Sequence, residues 1–270
     1  MVELENKYQI GVRRFGLVNW VGAFSLYKKE VLRFLIVSGQ TLIGPILTSI
    51  LFLVVISLAI GDERADVLGV PYIEFLANGL IMMQVIQQSF SHSSSSLMMS
   101  KMMGTIIDLV NSPLSALEVA ISIVLASITR ALFIAAISTF IFIVFLDINI
   151  QNYFLWFLYI FLAGFFLGSA GFIAGLYADK FDQMATVTNF IIVPLSFLSG
   201  TFYSIEKLPD ILKSLSLYNP FFHMIDGFRY SFIGQSDGSI KFGIIFLLMI
   251  SLITFYISYL LYKKGYKIKS

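Results

Sequence analysis

The sequence predicts an all-α integral membrane protein, a single domain over residues 1–270. It should have six transmembrane helices, an N-terminal interfacial helix, a cytoplasmic amphipathic helix after the second span and an outer re-entrant helical hairpin after the fifth. Three observations predict this. The chain is 58% hydrophobic and 13% charged with mean hydropathy +0.87, against roughly half apolar and a quarter charged in a soluble domain. Windows of about twenty nearly uncharged residues follow one another, as helices crossing roughly 30 Å of hydrocarbon require. The basic residues are spread over chain ends and alternate loops, so they report orientation and form no patch for nucleic acid.

Residues 15–27 follow Arg13-Arg14 but lack a small-residue cleavage site, so no signal peptide is read there. Thirteen residues reach only about 20 Å, too short to cross. With Asn19, Gly22 and Ser25 on one narrow side and Phe15, Val18, Trp20, Val21 and Phe24 around it, the segment suits a helix lying at the cytoplasmic interface and closed by Lys28-Lys29-Glu30. An ordinary buried helix is the alternative. The whole stretch 1–31 is assigned to this cytoplasmic and interfacial region.

The first span covers about 32–60 and carries Gly44-Pro45, a pair that should kink it where neighbours can bond the carbonyl that proline frees. The second, 72–90, contains Glu74, Asn78, Gln84, Gln87 and Gln88. The third runs over 114–146. A polar turn at 147–152 leads to the fourth, 153–177, and the fifth covers about 183–200. A mixed external segment, 204–238, precedes the sixth span, 240–262, which ends in Lys263, Lys264, Lys267 and Lys269. Six spans put both termini on one side. Lys7, Arg13, Arg14, Lys28, Lys29, Arg33, Lys101 and Lys180 fall there with the C-terminal lysines, and the positive-inside rule makes that side cytoplasmic. No internal repeat is visible, which removes one mark of an inverted-repeat carrier.

Between the second and third spans lies the strip 92–113. Met98, Met102, Thr105 and Leu109 share one helical side, with Met99, Met103, Ile106 and Val110 on the adjoining one, and Ser93 to Ser96 are N-cap candidates. Flexible methionines suit a surface that re-packs against a moving partner, or they merely lid the bundle floor. In the third span, Arg130 sits near the midpoint, where an unpaired charge costs at least about 2.5 kcal/mol, so it needs an internal partner or an anionic ligand. Gln84 or Gln87 could bond it, and these three form the candidate translocation path. Ser115, Glu118, Ser122, Ala126 and Thr129 line one side of the same helix.

In the fourth span Gly164, Gly168, Gly171 and Gly175, continued by Ala178, make a groove for close helix approach, either static packing or a sliding contact. Outside, Leu208-Pro209-Asp210 and Asn219-Pro220 read as two helix starts. Phe221, Phe222, Met224, Ile225 and Phe228 then form an interfacial belt or an exit gate.

Pro194 to Pro209, PLSFLSGTFYSIEKLP, with Tyr218 to Tyr230, YNPFFHMIDGFRY, resembles the signature of the ABC-2 type permeases, membrane subunits of ATP-driven bacterial exporters. The resemblance spans nearly the whole chain and is most specific in its last hundred residues. It implies that the strip is a coupling helix contacting a nucleotide-binding ATPase subunit through Leu97, Met98, Lys101, Met102, Thr105 and Ile106. It also implies an outer gate at Pro194, Gly200, Asn219, Pro220, Asp226 and Arg229, a second permease copy, and a place in the lipid of a bacterial inner membrane. The chain has no G-x-x-x-x-G-K-[ST] loop, so no cofactor is expected on it, and ATP with Mg²⁺ would sit on the partner. Cargo would be amphiphilic or glycan, moved outward.

Two other readings compete. An ion- or proton-coupled secondary transporter usually carries several mid-membrane acids, whereas Glu74 and Glu118 lie toward span ends. A membrane enzyme needs convergent acids or histidines, and His92 and His223 are expected on opposite membrane faces. No cysteine is present, which excludes thiol chemistry.

Overall fold

A computed structural model describes residues 18–60 and 66–267. The chain forms eleven α-helices among the described residues and no named strand. Five helical segments are long and apolar enough to cross a membrane: Gly39–Ala59, Ala116–Leu146, Tyr153–Tyr177, Phe181–Thr201 and Ile240–Lys263.

Helix α1 (Trp20–Ile36) starts where Asn19 caps the backbone N–H of Gly22. It buries Leu26, Glu30 and Phe34 and exposes Trp20, Val21 and Phe24. Two expectations are corrected here. Lys28-Lys29-Glu30 does not close the helix, because Glu30 is buried and bonded and the apolar face continues to Ile36. The first span accordingly begins after a break at Val37, not at Leu32. Residues 1–17, which include the start of the expected interfacial segment, lie outside the described residues.

Beyond the break, a π turn (Gly39–Ile43) leads into α2 (Gly44–Ile60). The wider turn directs the Gly44 N–H to Gly39 O, and Pro45 follows with no N–H of its own. The fifth apolar segment repeats this arrangement: α7 (Phe181–Val187), a π turn (Thr188–Ile192) whose closing bond is Val193 N–H to Thr188 O, then α8 (Val193–Ser196) with Pro194 in its first turn. A second π turn, Phe197–Thr201, ends the segment around Gly200, whose φ of +79° is a left-handed conformation that suits glycine.

Helix α3 (Tyr72–Met102) is the centre of the bundle. Nearly every residue from Phe75 to Ile86 is buried on all sides by α5 (Ala116–Leu146), α6 (Tyr153–Tyr177) and α10 (Pro220–Ile233). Because protein rather than lipid surrounds it, α3 tolerates Asn78, Gln84 and Gln88, and it is absent from the five apolar segments for that reason. Ser115 and Glu118 form a capping box at the start of α5.

The glycines of α6 pack against helices of the same chain. A Cβ at Gly164 would stand 3.0 Å from Ile128, and one at Gly175 2.7 Å from the Ser94 carbonyl oxygen; Gly168 meets Ser127 and Gly171 meets the Phe90 carbonyl. The groove is filled by α3 and α5 of the same chain. After α6, the chain passes through α7 and α8, a short 3₁₀ turn (Ile205–Lys207), α9 (Asp210–Leu217) and α10 before closing with α11 (Ile240–Lys263). Asn219 caps α10 and Pro220 occupies its first turn, as expected. Helix α11 is the least buried of the five apolar segments.

Candidate functional site

Three polar or exposed assemblies stand out. They lie at the end of the bundle where α3, α6 and α11 finish, inside the bundle, and around α9 and α10, the hairpin end.

At the first, α3 does not stop at the serines. The Ser94 and Ser95 hydroxyls donate to the carbonyls of Ser91 and His92 at 3.3 and 3.1 Å, and Ser100 donates to Ser96 O at 2.9 Å. The expected N-caps are therefore mid-helix residues, of which Ser94 and Ser95 turn their hydroxyls back on their own helix while Ser96 donates across to Glu30 of α1. Ser94 lies where Gly175 of α6 approaches most closely. The helix ends at Met102, Gly104 turns the chain at φ +72°, and α4 (Ile106–Asn111) runs back.

This geometry divides the residues expected to meet an ATPase subunit. Leu97, Met98 and Ile106 are buried among α1, α3, α5 and α6, so they cannot form an outer contact as they stand. Met102, at 55% exposure, and Thr105 are at the surface, joined by Met103 at 68% and Ile107 at 61%. Helical spacing alone could not choose between the two methionine faces, because both are apolar. Lys101 is occupied internally: its ammonium donates to Leu176 O, Ala178 O and Asp179 Oδ1, each at 2.9 Å, fastening the turn to the C-terminus of α6. Lys267 donates to Tyr177 O at 3.1 Å and to Asp179 Oδ2 at 3.3 Å. Hydrogen bonds from Lys101 and then Lys267 hold the Asp179 carboxyl below its ordinary range.

Inside the bundle, Arg130 is buried and donates from Nη2 to the Thr41 carbonyl at 3.1 Å and to the side-chain oxygen of Gln88. Thr41 lies four residues before Pro45, where a regular α-helix would direct the N–H that proline lacks, and Arg130 supplies a donor to that carbonyl. The expected partners Gln84 and Gln87 are corrected to Gln88, one position further on. Beside this node Glu30 Oε2 accepts from Arg33 Nε at 3.0 Å and from Ser96 at 2.8 Å, and it stands 3.8 Å from His92 Nε2. Arg33 also donates to His92 O at 3.1 Å. The sequence reading missed Glu30, Thr41 and Gln88. The i, i+3 spacing of Glu30 and Arg33, and the count back from Pro45 to Thr41, were signals that could have found two of them.

At the hairpin end, Arg229 donates to Gly200 O at 2.8 Å and covers the Phe75 ring at 3.6 Å. Asn219 Nδ2 donates to Ser199 at 2.8 Å, while Asp226 accepts the N–H groups of Asp237 and Gly238 at 2.8 and 2.9 Å. Gly200, Asn219 and Arg229 thus meet in one cluster around the second π turn. Asp226 instead ties down the loop before α11. Pro194 lies in the first turn of α8, and Pro220 borders a mostly apolar cleft of about 430 Å³ between α8 and α9. Phe221, Phe222, Met224, Ile225 and Phe228 are buried against the bundle, so they are core residues rather than a belt or gate. His223 is packed at this end, with Nε2 2.8 Å from Leu217 O, and is remote from His92.

Five apolar helices arranged with α3 at their centre define a multi-pass helical membrane protein. The family model described as ABC-2 type transporter matches residues 22–233. The chain is 32% identical over 240 residues to the inner membrane transport permease YadH of Escherichia coli strain K12, covering 88% of this chain and 93% of that one. It is 22% identical over 248 residues to nodulation protein J of Sinorhizobium fredii, covering 89% and 91%. The chain belongs to the ABC-2 type transporter family and is a membrane permease subunit rather than a catalytic enzyme.

Proposed function

We propose that this chain is the permease half of an ATP-driven exporter in a bacterial inner membrane, carrying an amphiphilic or glycan cargo outward. It pairs with a second permease copy and takes its power from separate ATPase subunits that hold the ATP and Mg²⁺. Helix α3 serves as the sixth crossing helix, both termini are cytoplasmic, and the α3–α4 turn meets the ATPase.

The observation that carries this reading is the turn itself: Met102, Met103 and Ile107 stand exposed around Gly104, while Lys101 fastens the same turn to α6. An exposed apolar tip on a rigid base can grip a partner and transmit its movement. ATP-driven closure of the partner shifts the permease only if its two conformations bind that partner unequally. Replacing Met102, Met103 and Ile107 by aspartate, all exposed, should leave the protein inserted and folded but abolish co-purification of the ATPase subunit. Undiminished co-purification would refute the contact. Transport by the purified permease alone under a proton gradient would favour the secondary-transporter reading.

A further inference from the structure

At the end of the bundle that carries the methionine turn, a separate cleft of about 450 Å³ opens between α4, the start of α5 and the end of α11. Leu109, Val110 and Leu114 line its apolar part, Tyr262 forms another wall, and Lys263 and Lys264 stand at its charged side. Lys263 lies 5.5 Å from the Tyr259 ring centroid, and Lys264 makes no ion pair among the described residues. Among the described residues no carboxylate lines the cleft; the exposed Asp108 of α4 is outside its lining. The Tyr262 hydroxyl is buried with no hydrogen-bond partner among the described residues.

The position of the cleft relative to lipid selects its occupant. Lys263 and Lys264 end α11, the least buried apolar segment, so they stand where hydrocarbon gives way to headgroups. Leu114 also packs against α1, since a Cβ at Gly22 would be 2.7 Å from it, and α1 exposes Trp20 and Val21 in the manner of an interfacial anchor. Apolar walls adjoining paired cations at this level match an acyl chain below an anionic headgroup.

We propose that this cleft is a binding site for an anionic phospholipid, its phosphate at Lys263 and Lys264 and its chain against Leu109, Val110 and Leu114. The cargo does not enter into it, and Met102, Met103 and Ile107, which carry the proposed ATPase contact, are not among its walls. A free phosphate shares the headgroup chemistry but lacks the chain, so the two sources separate experimentally.

The test uses purified full-length protein in detergent and native mass spectrometry with dioleoyl-phosphatidylglycerol, dioleoyl-phosphatidylcholine and glycerol 1-phosphate. Phosphatidylglycerol should be retained about tenfold more strongly than phosphatidylcholine, a difference of about 1.4 kcal/mol. Glycerol 1-phosphate at equal concentration should not displace it. Lys263→Gln with Lys264→Gln should reduce phosphatidylglycerol retention to the phosphatidylcholine level, and the paired Lys→Arg variant should restore the preference, which separates lost charge from lost fold. Equal retention of the two lipids, a preference that survives the glutamine pair, displacement by glycerol 1-phosphate, or no rescue by arginine would each overturn the assignment.

Discussion

Replacing Arg130 by methionine, alone and together with Pro45→Ala, should show whether the arginine stands in for the backbone N–H that Pro45 lacks. The substitution keeps an unbranched apolar stem but leaves two acceptors, Thr41 O and the Gln88 side chain, without the guanidinium. An orphaned buried acceptor costs about 1–3 kcal/mol, while removing a cation from the membrane interior returns at least about 2.5 kcal/mol. The single variant is therefore uninformative, because the two terms offset each other. A cycle with Pro45→Ala cancels the desolvation term. Alanine at 45 supplies an N–H to Thr41 O, so Arg130→Met should be less damaging in that background by about 1–2 kcal/mol. Equilibrium unfolding of the four variants in mixed micelles measures this coupling. Additivity within about 0.5 kcal/mol would refute the arginine–proline pairing.

Two further predictions concern the packing of α6 and the Lys101 staple. Gly175→Val should destabilise the protein by about 3 kcal/mol or prevent its folding, because the added Cβ meets the Ser94 backbone at 2.7 Å and backbone cannot yield as a side chain does; Gly39→Ala, with nothing within 4 Å, should be tolerated, and thermal unfolding in detergent compares them. Asp179 has a depressed carboxyl pKa, so its bonds to Lys101 and Lys267 are present above the ordinary value of 3.8 and are lost as pH falls through the lower folded value. The chain has no cysteine, so a spin label on Met103→Cys should become more mobile below pH 3.8, and Asp179→Asn should abolish that transition.

Much of the layout was legible in the sequence. The fourth span, 153–177, coincides with α6, because Asn152 caps its start and a charged turn follows its end. Asn219-Pro220 opened α10 as its capping chemistry required. The first span was placed less well, since an unbroken apolar run conceals the break at Val37 that separates α1 from the π turn. The serine run failed for a related reason. Serine favours caps when its backbone is free, but within α3, where Ser96 meets α1 and Ser94 meets α6, the run packs as part of a continuous helix.

Composition and charge alone determined that this chain crosses a membrane several times, where most of its spans lie and that Arg130 needs a partner inside. Only the tertiary structure decided that α3 is the centre, that Gln88 and Thr41 satisfy Arg130, and that Met102 and Met103 face outward while Met98 faces in. The reason is that lipid and a neighbouring helix are almost equally apolar. An apolar stripe therefore marks a face that avoids water, and only the packed bundle distinguishes a face against protein from one left open to lipid or to a partner.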